Sequence, residues 1–217
     1  MSKTLRIEIV SDFVCPWCYV GKKRLERALA LRPELQVELG WSPFQLSPDM
    51  PREGRNKLAH YREIFGEERA EQIAASMRDT GVEEGIAFGA SADAVSPNTL
   101  SAHVLLLWAT EDPDIDTDAV AEQLFRAHHV DCANIGSHDL LVDIAAAAGM
   151  NPDQVRQRLA DGVDEARVQD QMQHAKARGV SGVPFFIIDD QYGISGAQPP
   201  EILVQTFDQI LADGQAA

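Results

Sequence analysis

Two cysteines separated by two residues, at the seam between a strand-like and a helix-like run, restrict this chain more than any other feature. Before them, Leu5-Arg6-Ile7-Glu8-Ile9-Val10 reads as a buried strand, and Ser11-Asp12-Phe13-Val14 as a loop. Cys15-Pro16-Trp17-Cys18 then opens a helix in which Val20, Leu25, Ala28 and Leu29 recur at helical spacing. Pro16 suits the start of that helix, where a backbone N–H has no intrahelical acceptor to lose. Pro33 stops it, and Leu35 to Trp41 alternates apolar and polar as a second strand. The result is a β-α-β unit over roughly the first 45 residues.

The pattern then changes. Ser42 to Gly54 is rich in proline and polar groups and reads as a linker. From about Asn56 to Gly179 the periodicity is helical nearly throughout. Leu58, Tyr61, Ile64 and Phe65 form one apolar stripe, and Ala70, Ile73, Ala74 and Met77 another. Ser96-Pro97 reads as an N-cap followed by the first residue of a helix reaching Trp108, with Thr117 and Ser137 capping the next two. Gly149 ends one helix, Asn151-Pro152 opens another, and a last one runs from about Asp164 to Gly179. Strand signals return at Val183 to Ile188, with Gln191 to Ser195 as hairpin partner. Pro199-Pro200 opens a final helix, and residues 213–217 read as a frayed tail. The expected class is α/β. Residues 1–54 and 180–217 form a discontinuous domain whose two parts resemble the halves of a thioredoxin fold. Residues 55–179 form an all-helical domain inserted between them.

Disulfide exchange needs a thiolate, and a free cysteine has a pKa near about 8.5. Three features favour the anion at Cys15: the helix start, a hydrogen bond from Cys18, and the positive charge of Lys22 and Lys23. Cys15 is then the nucleophile and Cys18 the resolving thiol. The chain has three cysteines, an odd number and too few for a disulfide scaffold. A zinc site completed by His129 and Cys132 is the competing use of the pair, but no second C-x-x-C exists. No metal and no cofactor are therefore expected, and Cys132 reads as a buried, inert thiol. His103 reads as a satisfied core or surface histidine, and Asp12 as a loop cap or a proton shuttle.

A formal net charge of -15 argues against nucleic acid and anionic membrane as partners. Lys22-Lys23-Arg24 is the only dense basic run and reads as a solvated helix face. No signal peptide and no bilayer-length apolar run is visible, which makes the cytoplasm the expected compartment. A homodimer is compatible with the sequence, and nothing in it decides the matter.

Ser11 to Tyr19, Pro97-Asn98-Thr99, Asn134-Ile135, Gly182 to Phe186 and Ser195 to Pro200 together resemble the DsbA family, more closely its cytoplasmic FrnE-like branch. The resemblance covers nearly the whole chain. It implies a thioredoxin domain with a helical insertion and a cis peptide at Val183-Pro184 beside Cys15. The backbone of Val183 would pair with an extended substrate. Ser195, Gly196 and Gln198 would help hold a thiol peptide, or serve simply as a turn and cap. Pro16, Trp17 and Asn98 complete the implied substrate-binding set. The implied activity is thiol–disulfide exchange on a protein or a small thiol. The alternative is a glutathione-dependent isomerase or transferase of the hydroxychromene-carboxylate isomerase or kappa type, although such proteins usually lack the second cysteine. A non-enzymatic holdase is a third reading.

Overall fold

The computed structural model describes residues 4–215. Strand β1 (Leu5–Ser11) leads through a loop into helix α1 (Pro16–Ala30), and β2 (Val37–Pro43) returns parallel to β1. Two short strands, β3 (Arg55–Asn56) and β4 (Val95–Ser96), pair antiparallel and bracket helices α2 (Lys57–Phe65) and α3 (Glu67–Glu84). Helices α4 (Leu100–Glu111), α5 (Thr117–His129), α6 (His138–Ala147), α7 (Pro152–Ala160) and α8 (Glu165–Ala177) follow. Then come β5 (Phe185–Ile188), β6 (Tyr192–Ser195) and α9 (Pro200–Gln215). The main sheet has the order β2-β1-β5-β6, with β5 antiparallel to both β1 and β6. This is a thioredoxin fold with helices inserted between β2 and β5.

Strand alternation sends neighbouring side chains to opposite faces. Ile7 and Ile9 pair with Ile188 and Phe186, and on that face they pack with Leu25 and Ala28 of α1 and Leu203, Phe207 and Ile210 of α9. Val10 and Ile187 point the other way, toward Phe44, Ala175 of α8 and Val180. The opposite side of α1 enters a second core. Phe13, Tyr19 and Val20 pack there with Leu105, Trp108, Leu124, Phe125 and Leu141 of the inserted helices. Phe125 is fully buried, stacks on Tyr19 at 5.2 Å and lies 5.0 Å from Phe13. Burying one such ring is worth about 1.5–3 kcal/mol. Helix α1 is thus shared by both cores.

Several expectations need correction. Residues 85–99 are not helical: Gly85 ends α3 in the left-handed region (φ 71°), and Ser96 pairs with Arg55 in a strand. Ser96 is therefore not a cap, and Thr99 takes the N-cap position of α4. For α5 the N-cap is Asp116, whose carboxylate accepts from the Ala119 N–H; Thr117 is the first helical residue. The apolar stripe on α2 has no core beneath it, since Leu58, Ile64 and Phe65 are all exposed. Helix α9 continues through Asp213 to Gln215, and the last two residues of the expected frayed tail lie outside the described residues.

The basic run is not a solvated face. The Lys22 side chain is only 3% exposed, and its ammonium meets Glu26, Asp118 at 2.9 Å and Glu122 at 3.1 Å. Lys23 pairs with Glu122 at 2.9 Å, and the Tyr19 hydroxyl donates to the same carboxylate at 2.7 Å. These bonds tie α1 to α5. Further along α1, Arg24 and Arg27 converge on Glu84 of α3, whose side chain is 3% exposed. Carboxylates consume all the charge on this face of α1.

Candidate active site

Cys15 occupies the N-cap position of α1, in extended backbone, and Pro16 follows as the first helical residue. No side chain caps the helix, and its first turn carries no acidic residue. The helix dipole therefore acts on the Cys15 sulfur with no carboxylate in that turn to oppose it. The expected help from Lys22 and Lys23 is absent, because both are neutralised by acidic partners. Cys15 N donates to Asp12 O and Cys18 N donates to Cys15 O, each at 3.0 Å, so the motif is a tight turn. Both cysteines are free thiols and buried, at 5% and 2% exposure, while Trp17 between them is 41% exposed. Burial pushes the Cys18 thiol up, helped by the hydrogen bond to Cys15 and the charge there, against a smaller pull from the Ser11 hydroxyl. Cys18 thus holds its proton firmly.

The Val183–Pro184 peptide is cis, and the Cys15 thiol lies 3.7 Å from Val183 O. Gly21 permits this approach: a Cβ there would stand 3.0 Å from Pro184 Cγ and 3.3 Å from Phe186 Cζ. Gly196 (φ 79°) donates to Pro184 O at 2.9 Å. Gln198 folds back, its amide donating to Ser195 O at 2.8 Å, and Arg24 holds Ala197 O at 2.6 Å. The Ser195–Gln198 segment is therefore a pinned turn beside Pro184, with the side of Ser195 exposed.

Asn98 is not joined to the cysteines by any hydrogen bond. Its amide donates to Met50 O at 2.6 Å, and its oxygen accepts from Leu100 N and Gln45 Nε2. The Asn134–Gly136 turn packs on Pro97 and Asn98, so two of the telling sequence stretches brace one another. Asp12 is a buried loop cap, its carboxylate accepting from Leu46 N at 2.8 Å. His103 is a satisfied core histidine, with Nε2 3.1 Å from Phe44 O and 3.5 Å from Asp12 Oδ1. Cys132 is half-buried rather than buried, with φ 55°. Among the described residues no group of three or more His, Cys, Asp or Glu side chains is arranged to hold a metal ion. No helix among them is long and apolar enough to cross a membrane.

The sequence reading missed one element. A cavity of about 450 Å³ opens next to the motif, with Pro16 in its wall and Tyr61, Met77 and Phe88 among its apolar surfaces. Burial and the charges of Cys15 and Asp12 push the Tyr61 hydroxyl up to about 12, which marks Tyr61 as a neighbour of Cys15. Lys57 and His129 also line this cavity. The available signal was Lys57 itself, a cation at the first position of α2, where the helix dipole disfavours it.

A DSBA-like thioredoxin domain model matches residues 6–208. The structure of a probable DsbA oxidoreductase from Streptomyces coelicolor superposes with a TM-score of 0.86 at 33% identity, over 94% of this chain and 89% of that one. The cytosolic disulfide reductase DsbM of Pseudomonas aeruginosa, in its structure with GSH, gives 0.63 at 17% identity, over 95% and 99%. A 2-hydroxychromene-2-carboxylate isomerase gives 0.68 at 15% identity, over 97% and 98%. The last two show a shared fold.

Proposed function

Because the chain belongs to the DSBA-like thioredoxin domain family, we propose that it is a thiol–disulfide oxidoreductase of the FrnE-like, cytoplasmic kind, with Cys15 and Cys18 as its redox pair. The observation that carries this reading is the pairing of two free thiols in the first turn of α1 with Val183 O, 3.7 Å from the Cys15 sulfur. In the reductive direction, the Cys15 thiolate attacks a substrate disulfide. A mixed disulfide forms, and one substrate thiolate leaves. Cys18 then loses its proton and attacks the Cys15 sulfur, releasing the second substrate thiolate. Two electrons pass from the dithiol to the substrate, and the chain ends as the Cys15–Cys18 disulfide. The reverse sequence oxidises a substrate dithiol.

Residues 1–54 and 180–217 supply the redox centre in this reading, and residues 55–179 cover it as an inserted helical domain. Pro184 lies against the pair, and the exposed Trp17 ring, Pro16, Val183 and Ser195 meet the substrate. Gly196 and Gln198 shape the turn that supports Pro184. Asn98 acts at a distance by holding the segment before α4. A protein or small-molecule disulfide suits the site. DsbM, a cytosolic disulfide reductase whose structure holds GSH, shares this fold.

The cavity beside Pro16 favours a second reading, an isomerase or transferase using a small thiol. That reading has no use for Cys18. Equilibration in thiol buffers followed by mass spectrometry decides between them. A reversible Cys15–Cys18 disulfide supports the redox reading, with a potential near about -270 mV indicating a reductase and near about -120 to -180 mV an oxidant or isomerase. Failure of the two sulfurs to join at any potential refutes it.

A further inference from the structure

We propose that the cavity beside the Cys pair is a binding site for a small amphiphilic carboxylate, its apolar body between α2 and α3 and its anionic group at Lys57. The walls are apolar, with Leu58, Tyr61, Ile73, Met77 and Phe88 facing the space. A volume of about 450 Å³ lies within the range of small-molecule pockets. The charged groups present are of one sign. Lys57 and Arg78 line the cavity, and no aspartate or glutamate does. In a chain with 34 acidic and 19 basic residues, a pocket with cations and no carboxylate is conspicuous.

Lys57 has no salt-bridge partner among the described residues, although every other lysine near α1 has one. It sits at the first position of α2, where the positive end of the helix dipole adds to its field instead of opposing it. Burial pulls its pKa down, and only the charge of Cys132 works the other way. A half-buried cation without a counter-ion carries part of its desolvation cost uncompensated, and an incoming carboxylate offsets it. His129 gives an independent indication of a ligand. It is 2% exposed, lines the same cavity, and its Nε2 has no hydrogen-bond partner. Its ring donates to the Phe13 backbone through the other nitrogen, so a donor on the occupant, such as a hydroxyl or amide N–H, would satisfy Nε2.

Pro16 and Tyr61 place the occupant next to Cys15. The substrate class that follows is a low-molecular-weight thiol or disulfide with an apolar body and a carboxylate. That the occupant is a substrate rests on the redox reading above; the binding does not.

The test uses the full chain, reduced, with two probes of one shape: 2-naphthoate and its neutral counterpart 2-naphthylmethanol. Calorimetry should show naphthoate binding at least tenfold more tightly than the alcohol. Lys57→Met should abolish that preference while changing alcohol affinity no more than about twofold, and Lys57→Arg should restore most of it. Met77→Trp, which fills the cavity, should weaken both probes. Bound naphthoate should also slow alkylation of Cys15 by iodoacetamide at least threefold. Equal affinities for the two probes, no binding of either, a preference that survives Lys57→Met, or an unchanged alkylation rate each overturns the proposal. None of these readouts involves disulfide exchange, so they stand or fall apart from the redox potential measurement.

Discussion

Replacing Lys22 with Met keeps a long apolar stem of similar length and removes one charge from between α1 and α5. Glu26, Asp118 and Glu122 then lose their shared cation, with Lys23 left to meet Glu26 at 3.2 Å and Glu122 at 2.9 Å and Asp118 unpaired by it. Breaking a fully buried ion pair costs about 3–5 kcal/mol. Here the cation is 3% exposed but the carboxylates are 30–42% exposed, so they recover hydration and the penalty shrinks. A loss of about 2–3 kcal/mol at pH 7 is expected, roughly 30- to 150-fold in the unfolding equilibrium. Urea denaturation followed by far-ultraviolet circular dichroism measures it. The pH dependence provides the sharper check. Burial pushes the Glu122 carboxyl up, but Lys23, Tyr19 and the charge of Lys22 outweigh it and hold the pKa below the usual value. A depressed carboxyl contributes stability that is present above its unfolded pKa of about 4.3 and is lost as pH falls through its lower folded pKa. The gap between wild type and Lys22→Met should therefore narrow as pH falls below about 4. A variant as stable as wild type at pH 7, or a gap unchanged at pH 3, would refute the idea that this cluster clamps the two helices.

Glu84→Gln removes the shared partner of Arg24 and Arg27, and should cost about 2–3 kcal/mol in the same assay, because Glu84 is buried while Arg27 is half-exposed. Burial and the charge of Lys57 push His128 down to about 3 against a weaker backbone hydrogen bond at Ala133, so the folded chain resists its protonation. The unfolded chain takes up that proton as pH falls through about 6.5, and stability should therefore fall by about 1.4 kcal/mol per pH unit below that point. His128→Gln should flatten this slope in denaturation curves between pH 6 and pH 4; an unchanged slope would place the acid sensitivity elsewhere. Gly21→Val puts branched carbons where even a Cβ stands 3.0 Å from Pro184. It should cost about 1–3 kcal/mol and slow disulfide exchange at least tenfold, read by insulin reduction. Wild-type turnover in that variant would show that the Pro184 loop has room to move.

Much of the fold is legible because it follows short-range rules. The alternation in β1, the proline at the start of α1 and the Asn151-Pro152 cap are local signals, and each element forms where they point. The Cys15-Pro16-Trp17-Cys18 motif is equally local, with its cysteines within one helical turn. What the sequence conceals is where a side chain ends up in three dimensions. Lys22-Lys23-Arg24 looks like a wet surface because its acidic partners lie on α5 and α3, far along the chain. The stripe of α2 has the spacing of a buried face, yet its Leu58 side chain borders an open cavity. Periodicity reports that an apolar face exists, and only tertiary packing decides whether protein or ligand covers it. Ser96-Pro97 fails for a similar reason, since pairing with Arg55 takes Ser96 into a strand despite its capping chemistry.

The two neighbours of β1 come from opposite ends of the chain: Ile7 pairs with Leu39 on one side and with Ile188 on the other. On the ribosome, β2 follows within moments, but β5 emerges only after every inserted helix has been made. Until then the central strand has an open edge, and Cys15 has no Val183 carbonyl beside it. The nascent chain thus carries its two thiols through most of its synthesis before their surroundings are complete. Pairings so distant along a chain are slow to form, and an unpaired central strand invites association with other chains. Translation order makes the closing of β5 onto β1 the event that turns a pair of ordinary cysteines into a finished site.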